Sequence, residues 1–444
     1  MQSAPQDYLP ATLTAAIQTI RAFGKNVIKI TPQKTTANPG DTTEFMIPNK
    51  RILDFSSFAI HKTITIGGED TTAVPMSECF IESLRTEAST QAIEFIPHYN
   101  QLFQMMTNAT MSTQCMKTAS CYSLAPKPTY VLTAIGANDT ADEIAVTTTT
   151  STVDAKIVQR MIPPVLVQGP HKSVISHWIG WFGSLSNPII DTSILPEVKT
   201  YITWAPNAIM ASGTPSATYS LSGLYATMTE YVYPLYAEGL MMQLKHGIPV
   251  EYIYDRYQVN TVTTTAGSDV SFQWSVAARA VRKIWWTWQL ATYSTMGDAV
   301  AGGHTTKYFI HSSGGSAVAN TGITQAQLLL DGSPFPTHPI TEMNTRYGYF
   351  NAIREMGVQG INSFDNSVES HNDWLKRKFF QVHSLDASMF ADKSIVSGYD
   401  TEESQSNFTL NHADPTTAAG RTLIFAQFVA RASVHGGRLM VVNI

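Results

Sequence analysis

The residues best suited to chemistry are two histidines and their aromatic neighbours: His171 and His177 lie close in sequence to Trp178 and Trp181. Imidazoles beside indoles are the materials of a metal centre or a sugar-stacking subsite. A spacing of six fits neither one helix face nor tight chelation in a loop, so the two histidines read as structural. The acid pairs Glu69-Asp70, Asp142-Glu143 and Glu402-Glu403 are sequence neighbours on turns. In an extended segment such neighbours point to opposite sides, which makes them poor glycosidase pairs. The cluster Lys376-Arg377-Lys378 has the charge to touch phosphate or lipid headgroups, but a run this short reads as a solvated strand entrance. Cys79, Cys115 and Cys121 are an odd number without metal-finger spacing, and read as reduced, mostly packed thiols. The chain has no Gly-x-Ser-x-Gly elbow, phosphate-cradling Gly-rich loop, His-Glu-x-x-His or Cys-x-x-Cys. The expectation is a non-enzyme with no catalytic, cofactor-binding or metal-binding residues and no cofactor.

Bulk composition points the same way. The 444 residues are enough for two or three domains, each with a real core. Charged residues make up only 14%, against about 25% in an average soluble protein. Such a surface suits a protein covered by neighbours, or an extracellular β-protein. The net charge of −5 provides no global basic field, so nucleic-acid coating is disfavoured and no specific nucleic-acid binding is expected. Residues 1–6 lack a charged region leading into an apolar run, which predicts no signal peptide. No stretch approaches the roughly 20 apolar residues of a membrane span.

Period-two alternation dominates. Val270, Phe272, Trp274, Val276 and Ala278 alternate with Ser271, Gln273 and Ser275, which describes a half-buried strand. Ile284, Trp286, Trp288 and Leu290 line one face of the next strand, and Trp285 falls on the polar side, where an aromatic needs a second cover. Further strands are expected at 26–31, 43–48, 52–66, 199–204, 219–232, 250–259, 307–311, 325–330, 378–385, 407–411 and over the last two dozen residues. The fold class is therefore mostly β. Residues 270–290 echo 422–442 when Arg279 is aligned with Arg431, which reads as two similar β-units in tandem.

Helices are few. Pro10 can sit in the first turn of an amphipathic helix carrying Leu13, Ile17 and Ile20, with Leu9 before them and Gly24 after. It either packs under its own or a neighbouring barrel, the favoured reading, or rests on a membrane surface. Short connecting helices are expected at 100–108, 347–356 and 367–376. Segments 133–152, 205–216 and 297–320 read as surface excursions. A boundary near 296–303 then divides the chain into an arm at 1–24, a first unit at 25–298 and a second at 299–444.

Several fragments are similar to those of a known lineage. Gly40-Asp41-Thr42-Thr43-Glu44-Phe45-Met46-Ile47-Pro48, followed by Ile52-Leu53-Asp54-Phe55-Ser56-Ser57-Phe58, resembles the opening strands of the double jelly-roll major capsid proteins, the lineage of adenovirus hexon and of tailless, membrane-containing phage coat proteins. Ile194-Leu195-Pro196 and Tyr201-Ile202-Thr203-Trp204 resemble later strands of the first barrel. Leu329-Leu330-Asp331-Gly332-Ser333-Pro334-Phe335-Pro336 looks like the second barrel's early turn, and Ser397-Gly398-Tyr399-Asp400-Thr401 precedes its closing strands. The likeness is one of texture from about residue 25 onward, and the chain is short beside the hexon, so large tower loops are not expected.

The resemblance implies two tandem eight-stranded jelly-roll barrels. It also implies a homotrimeric, pseudo-hexagonal capsomer that tiles an icosahedral shell around a DNA genome. Expected partners are further copies of the chain, minor capsid or vertex proteins and an internal membrane; the expected location is the virion capsid, assembled in the host cytoplasm. Trp285, Trp286 and Trp288 are the residues expected between barrels or subunits, and Leu13, Ile17 and Ile20 mark an interior-facing arm. Two other readings stand beside this one: a secreted carbohydrate-binding or carbohydrate-cleaving β-sandwich, with Trp178, Trp181 and Trp374 stacking on sugars, and a viral spike or minor vertex protein.

Overall fold

The computed structural model describes residues 24–134, 146–150, 153–212, 216–294, 307–314, 322–356, 368, 371–386, 397–401, 407–413, 419–435 and 438–443. The first half contributes β1 (Gly24–Ile30), β2 (Thr42–Met46), β3 (Ile52–Ala73), β4 (Ile81–Ala88), β5 (Gln91–Pro97), α1 (Tyr99–Thr110), α2 (Thr113–Ala119), β6 (Lys127–Ala134), β7 (Val146–Thr150), β8 (Val153–Ile162), β9 (Val165–Ile175), α3 (Trp181–Ser184), β10 (Ile189–Asp191), β11 (Val198–Trp204), β12 (Ala211–Ser212) and β13 (Thr218–Val232). A helix, α4 (Pro234–Lys245), leads into β14 (Val250–Thr264), β15 (Val270–Ser275), β16 (Val281–Leu290), β17 (Ala326–Leu330), β18 (Ser333–Ile340), α5 (Arg346–Glu355), α6 (His371–Lys376), β19 (Gln381–Ser384), β20 (Asn407–His412), β21 (Gly420–His435) and β22 (Arg438–Asn443).

Strand order identifies the architecture. The first half forms sheets β1-β13-β3-β10 and β2-β11-β4-β5; the second forms β14-β21-β16-β19 and β15-β20-β17-β18. Setting aside β6 to β9, β12 and β22, each half has eight strands. Numbered within its own half, each places strands 1-8-3-6 in one sheet and 2-7-4-5 in the other, with antiparallel neighbours. That order is the jelly roll, and it occurs twice. In each barrel the two sheets meet over alternating side chains. Val198, Thr200, Ile202 and Trp204 of β11 are buried while Lys199, Tyr201 and Thr203 point outward. Among the described residues β6, β7 and β8 form a separate three-stranded sheet, and β9 extends the β3 sheet.

The sequence echo has a different origin from the tandem units it suggested. Segment 270–290 contains β15 and β16, and both belong to the second barrel together with β21 and β22. β16 and β21 are antiparallel neighbours, Trp286 opposite Ile424 and Trp285 opposite Phe425. Both strands are buried along most of their length on both faces, so both draw on the same small apolar vocabulary. The pairing also moves 250–290 out of the first unit: β14, β15 and β16 pair only with strands beyond residue 380. The boundary expected near 296–303 falls in the stretch that runs from β16 to β17, two strands of the same barrel. Residues 307–311, expected as a strand, form a short 3-10 turn and a single bridge, His311 to Lys378. The expected N-terminal helix lies outside the described residues.

Candidate functional site

Chemistry-bearing side chains gather in two buried polar arrangements and on the outer surfaces. The first arrangement is the seam between the barrels. After β9 the chain turns at Gly180, whose φ of +74° and whose closeness to Glu94 leave no room for a side chain: a Cβ there would lie 2.1 Å from Glu94 Oε2. This turn starts α3 and aims the Trp181 amide at Glu94 Oε2, 2.8 Å away. Trp181 is fully buried and meets Tyr254 of β14 edge-to-face at 4.9 Å, while the Tyr254 hydroxyl donates to the Ile93 carbonyl at 2.7 Å. The backbone of β14 is then tied to α3 and the loop after it. Asp255 N donates to Ser184 Oγ, and Ser186 N donates to the Ile253 carbonyl, both at 2.8 Å.

A second tie comes from α1. Gln101, fully buried, donates to the Tyr308 carbonyl at 3.1 Å, and its Oε1 lies 2.8 Å from His311 Nε2. Burial pushes the Glu94 carboxyl up to about 8, against the opposing pull of the Trp181 amide, the Thr86 hydroxyl and Arg256. Burial likewise pulls His311 down to about 3, and the Arg421 charge adds to that shift. At neutral pH the seam therefore holds a protonated acid and a neutral imidazole. That is the chemistry of a joint held by hydrogen bonds between uncharged groups, although Trp181 Nε1 and His311 Nδ1 are buried without a hydrogen-bond partner among the described residues.

The second arrangement joins Glu78, His177 and Tyr122. Buried Glu78 accepts from the backbone amides of Ser176 and His177 at 3.3 Å each, and its Oε1 lies 2.8 Å from His177 Nδ1. His177 Nε2 in turn lies 3.2 Å from the Tyr122 hydroxyl. A carboxylate orienting an imidazole toward a hydroxyl is the order that activates a nucleophile. Here the hydroxyl is a phenol whose ring stacks on the imidazole at 5.9 Å, and the arrangement pins the 176–178 loop. Next to it, Lys62 is buried on the inward phase of β3 with Ile60 and Ile64. Its Nζ donates to the Ser77 carbonyl at 2.7 Å and sits 4.6 Å above the Phe80 ring. Burial pulls this amine down to about 7, partly offset by Glu78 and Cys79. Sequence reasoning missed Lys62, since a charge on the inward phase reads as a break in the strand pattern, and Glu78, which lies in the short 3-10 turn Ser77–Phe80.

The other sequence candidates fall out as follows. His171 and His177 take different partners, His171 Nε2 lying 2.7 Å from the Val167 carbonyl. Among the described residues no group of three or more His, Cys, Asp or Glu converges as a metal site. Trp178, Trp181 and Trp374 are buried, so none offers a stacking platform for a sugar. Lys378 is also buried, paired at 3.0 Å with the fully buried Asp373, which Arg377 approaches to 3.5 Å; only Lys376 of the basic cluster is exposed. Of the cysteines, Cys79 is buried, whereas Cys115 and Cys121 are exposed.

Trp285, Trp286 and Trp288, expected at barrel or subunit contacts, are buried. Trp286 stacks on His412 of the facing sheet at 5.4 Å, and its Nε1 lies 3.3 Å from His383 Nε2. Trp288 donates to Thr264 Oγ1 at 3.0 Å. Trp285 is 3% exposed and donates to Gln427 Oε1. The second cover that Trp285 needs is supplied within the chain itself. Leu13, Ile17 and Ile20 lie outside the described residues.

The apolar surface available to other molecules lies elsewhere. Phe95 and Met46 are exposed on strands of the β2-β11-β4-β5 sheet, where Phe95, Tyr201, Arg85 and Glu87 help line an open depression of about 440 Å³. Tyr347 and Phe350 stand one turn apart on α5, Met440 and Val442 on β22, and Val165 and Val167 on β9. Apolar side chains spread over several flanks mark contact surfaces better than one enclosed site would. Only their phase within a folded strand or helix separates them from core residues, and the sequence alone did not reveal it.

No protein-family model matches the chain, and no curated protein matches it by sequence. Solved structures do. The PBCV-1 virus capsid chain superimposes with a TM-score of 0.59 at 14% identity, covering 95% of this chain and 97% of that one. The Faustovirus major capsid protein gives 0.59 at 10% identity, covering 97% and 92%. The Sputnik virophage structure gives 0.51 at 11%, covering 96% and 89%. Across its described residues, this chain has the double jelly-roll fold of those viral capsid chains.

Proposed function

We propose that this chain is the major capsid protein of an icosahedral virus, and that three copies associate into a pseudo-hexagonal capsomer. The observation that carries the reading is the repeated jelly-roll order in one chain, with the two barrels joined by a buried seam. A chain with two like barrels supplies two sides of a hexagon, so a threefold axis generates six. The viral capsid chains of the same fold and nearly the same extent support it. We take the barrels as 24–232 and 250–443, with α4 as the link between them. The buried polar arrangements act as joints in this reading, which makes the protein structural and not catalytic.

In the same reading the exposed apolar flanks meet sister chains and neighbouring capsomers. Minor capsid proteins and an internal membrane are the partners on the inner side, the genome is DNA, and assembly takes place in the host cytoplasm. Light scattering on the purified protein tests the trimer: the expected mass is about 146 kDa, three times 48.7 kDa. A stable monomer at micromolar concentration would contradict it.

A further inference from the structure

At one end of the first barrel a buried carboxylate lacks a counter-charge. Asp191 closes β10 opposite Ile52 of β3, and Ile52 in turn lies opposite Tyr231 of β13, so the three form one row across the sheet. Asp191 is 2% exposed. Its Oδ1 accepts from the Ser193 amide at 2.9 Å, while Oδ2 is buried without a hydrogen-bond partner among the described residues. The nearby Arg51 is engaged elsewhere, its Nη1 lying 2.6 Å from Glu230 Oε1. Asp191 itself forms no ion pair among the described residues. A buried carboxylate oxygen in this position lacks a charged donor.

This row lines a cavity of about 370 Å³, at the small end of the range for ligand sites, about 300–1,000 Å³. Four charged side chains share its walls: Asp191 and Glu230, and against them Lys50 and Arg51. Tyr231, Val232 and Tyr233 add apolar surface, and the Tyr233 hydroxyl is a second buried group without a partner among the described residues. The charges are layered, with Asp191 buried and both basic residues exposed. Thr192 holds the two layers together. Its amide donates to the Arg51 carbonyl at 2.8 Å, its hydroxyl donates to the Pro48 carbonyl at 2.9 Å, and the Arg51 amide donates to that hydroxyl at 3.0 Å.

A calcium ion needs six to eight oxygens, and the only carboxylate here without a counter-charge has two basic side chains near it. An ammonium fits better, because its three N–H donors match two acceptors, Asp191 Oδ2 and the Tyr233 oxygen. The exposed pair Lys50 and Arg51 suits a phosphate at the mouth. We propose that this cavity binds a small zwitterion, a primary ammonium joined by a short carbon linker to a phosphate, with the ammonium on Asp191 and Tyr233 and the phosphate toward Lys50 and Arg51. Free phosphoethanolamine and the headgroup of phosphatidylethanolamine both carry this chemistry. All the groups belong to one chain, so the site does not depend on trimer formation.

Titration calorimetry of the full-length protein with phosphoethanolamine tests the site. Saturable binding of one molecule per chain is expected, weakened at least about tenfold when ethanolamine or inorganic phosphate replaces the probe, or in Asp191→Asn. Lys50→Glu, an exposed change that leaves the core intact, should weaken it at least about threefold and keeps the test valid if Asp191→Asn fails to fold. No saturable binding, equal binding of inorganic phosphate, or parental affinity in a folded Asp191→Asn would overturn the proposal. Vesicle flotation separates the two sources. Retention on phosphatidylethanolamine vesicles but not on phosphatidylcholine, whose quaternary ammonium has no N–H to donate, supports the site with a lipid ligand. Binding of the free probe without retention supports it with a soluble one, and equal retention on both lipids contradicts the role given to the ammonium.

Discussion

At the residue scale, burial decides what each ionisable group does. Glu94 rises from the usual 4.5 to about 8. Between those values the folded chain keeps a proton that the unfolded chain releases, so this residue's contribution to stability falls as pH rises through that window. Glu94→Gln keeps an acceptor for the Trp181 amide and has no proton to lose. The variant should therefore gain thermal stability relative to the parent between pH 5 and pH 8, by about 2 °C or more at the upper end. Comparison with the parent is needed because other groups titrate in the opposite sense. Lys62 lies at about 7 instead of 10.5, so its contribution increases as pH rises between those values. Buried His311 and His383, pulled down to about 3 and about 4, gain stability as pH climbs toward 6.5.

The pair Asp373 and Lys378 gives a second test at this scale. With both side chains buried and 3.0 Å apart, Asp373→Asn takes the carboxylate charge away from a buried ammonium and should cost about 3–5 kcal/mol in chemical denaturation. The double change Asp373→Asn with Lys378→Met should recover most of that loss.

At the element scale, aromatic knobs and close backbone approaches hold the barrels. Trp286→Ala empties the space between Phe379 and His412 and should cost about 3–5 kcal/mol in urea unfolding. Gly183→Ala should damage the seam, because a Cβ there would sit 1.9 Å from the Trp178 carbonyl oxygen; a variant as stable as the parent would refute that packing.

Much at this level was legible in the sequence. β15 follows its alternation, β16 is a strand where one was expected though buried on both faces, and α1 and α5 lie where helices were expected. β4 and β5 were not legible, because Glu94 and Thr86 sit on inward positions that a pattern reading reserves for apolar residues. α4 went unseen because Gly239 interrupts it and its two exposed methionines blur the apolar stripe. The boundary expected near 296–303 does not follow the strand pairing, because strands 1 to 3 of the second jelly roll pair with strands about a hundred or more residues later. Local composition carries no trace of that pairing.

At the scale of the whole molecule, the account rests on one chain contributing two equivalent sides of a hexagon. The exposed Phe95, Tyr347, Phe350 and Met440 belong to three different elements, β5, α5 and β22, which suits contacts with several neighbours, and the low charge fraction fits a surface largely covered in the assembly. Electron imaging of the purified protein tests this most directly. The account predicts class averages with threefold symmetry and six lobes in a hexagonal outline. Isolated two-lobed particles, with no threefold class at any concentration that keeps the protein folded, would contradict it.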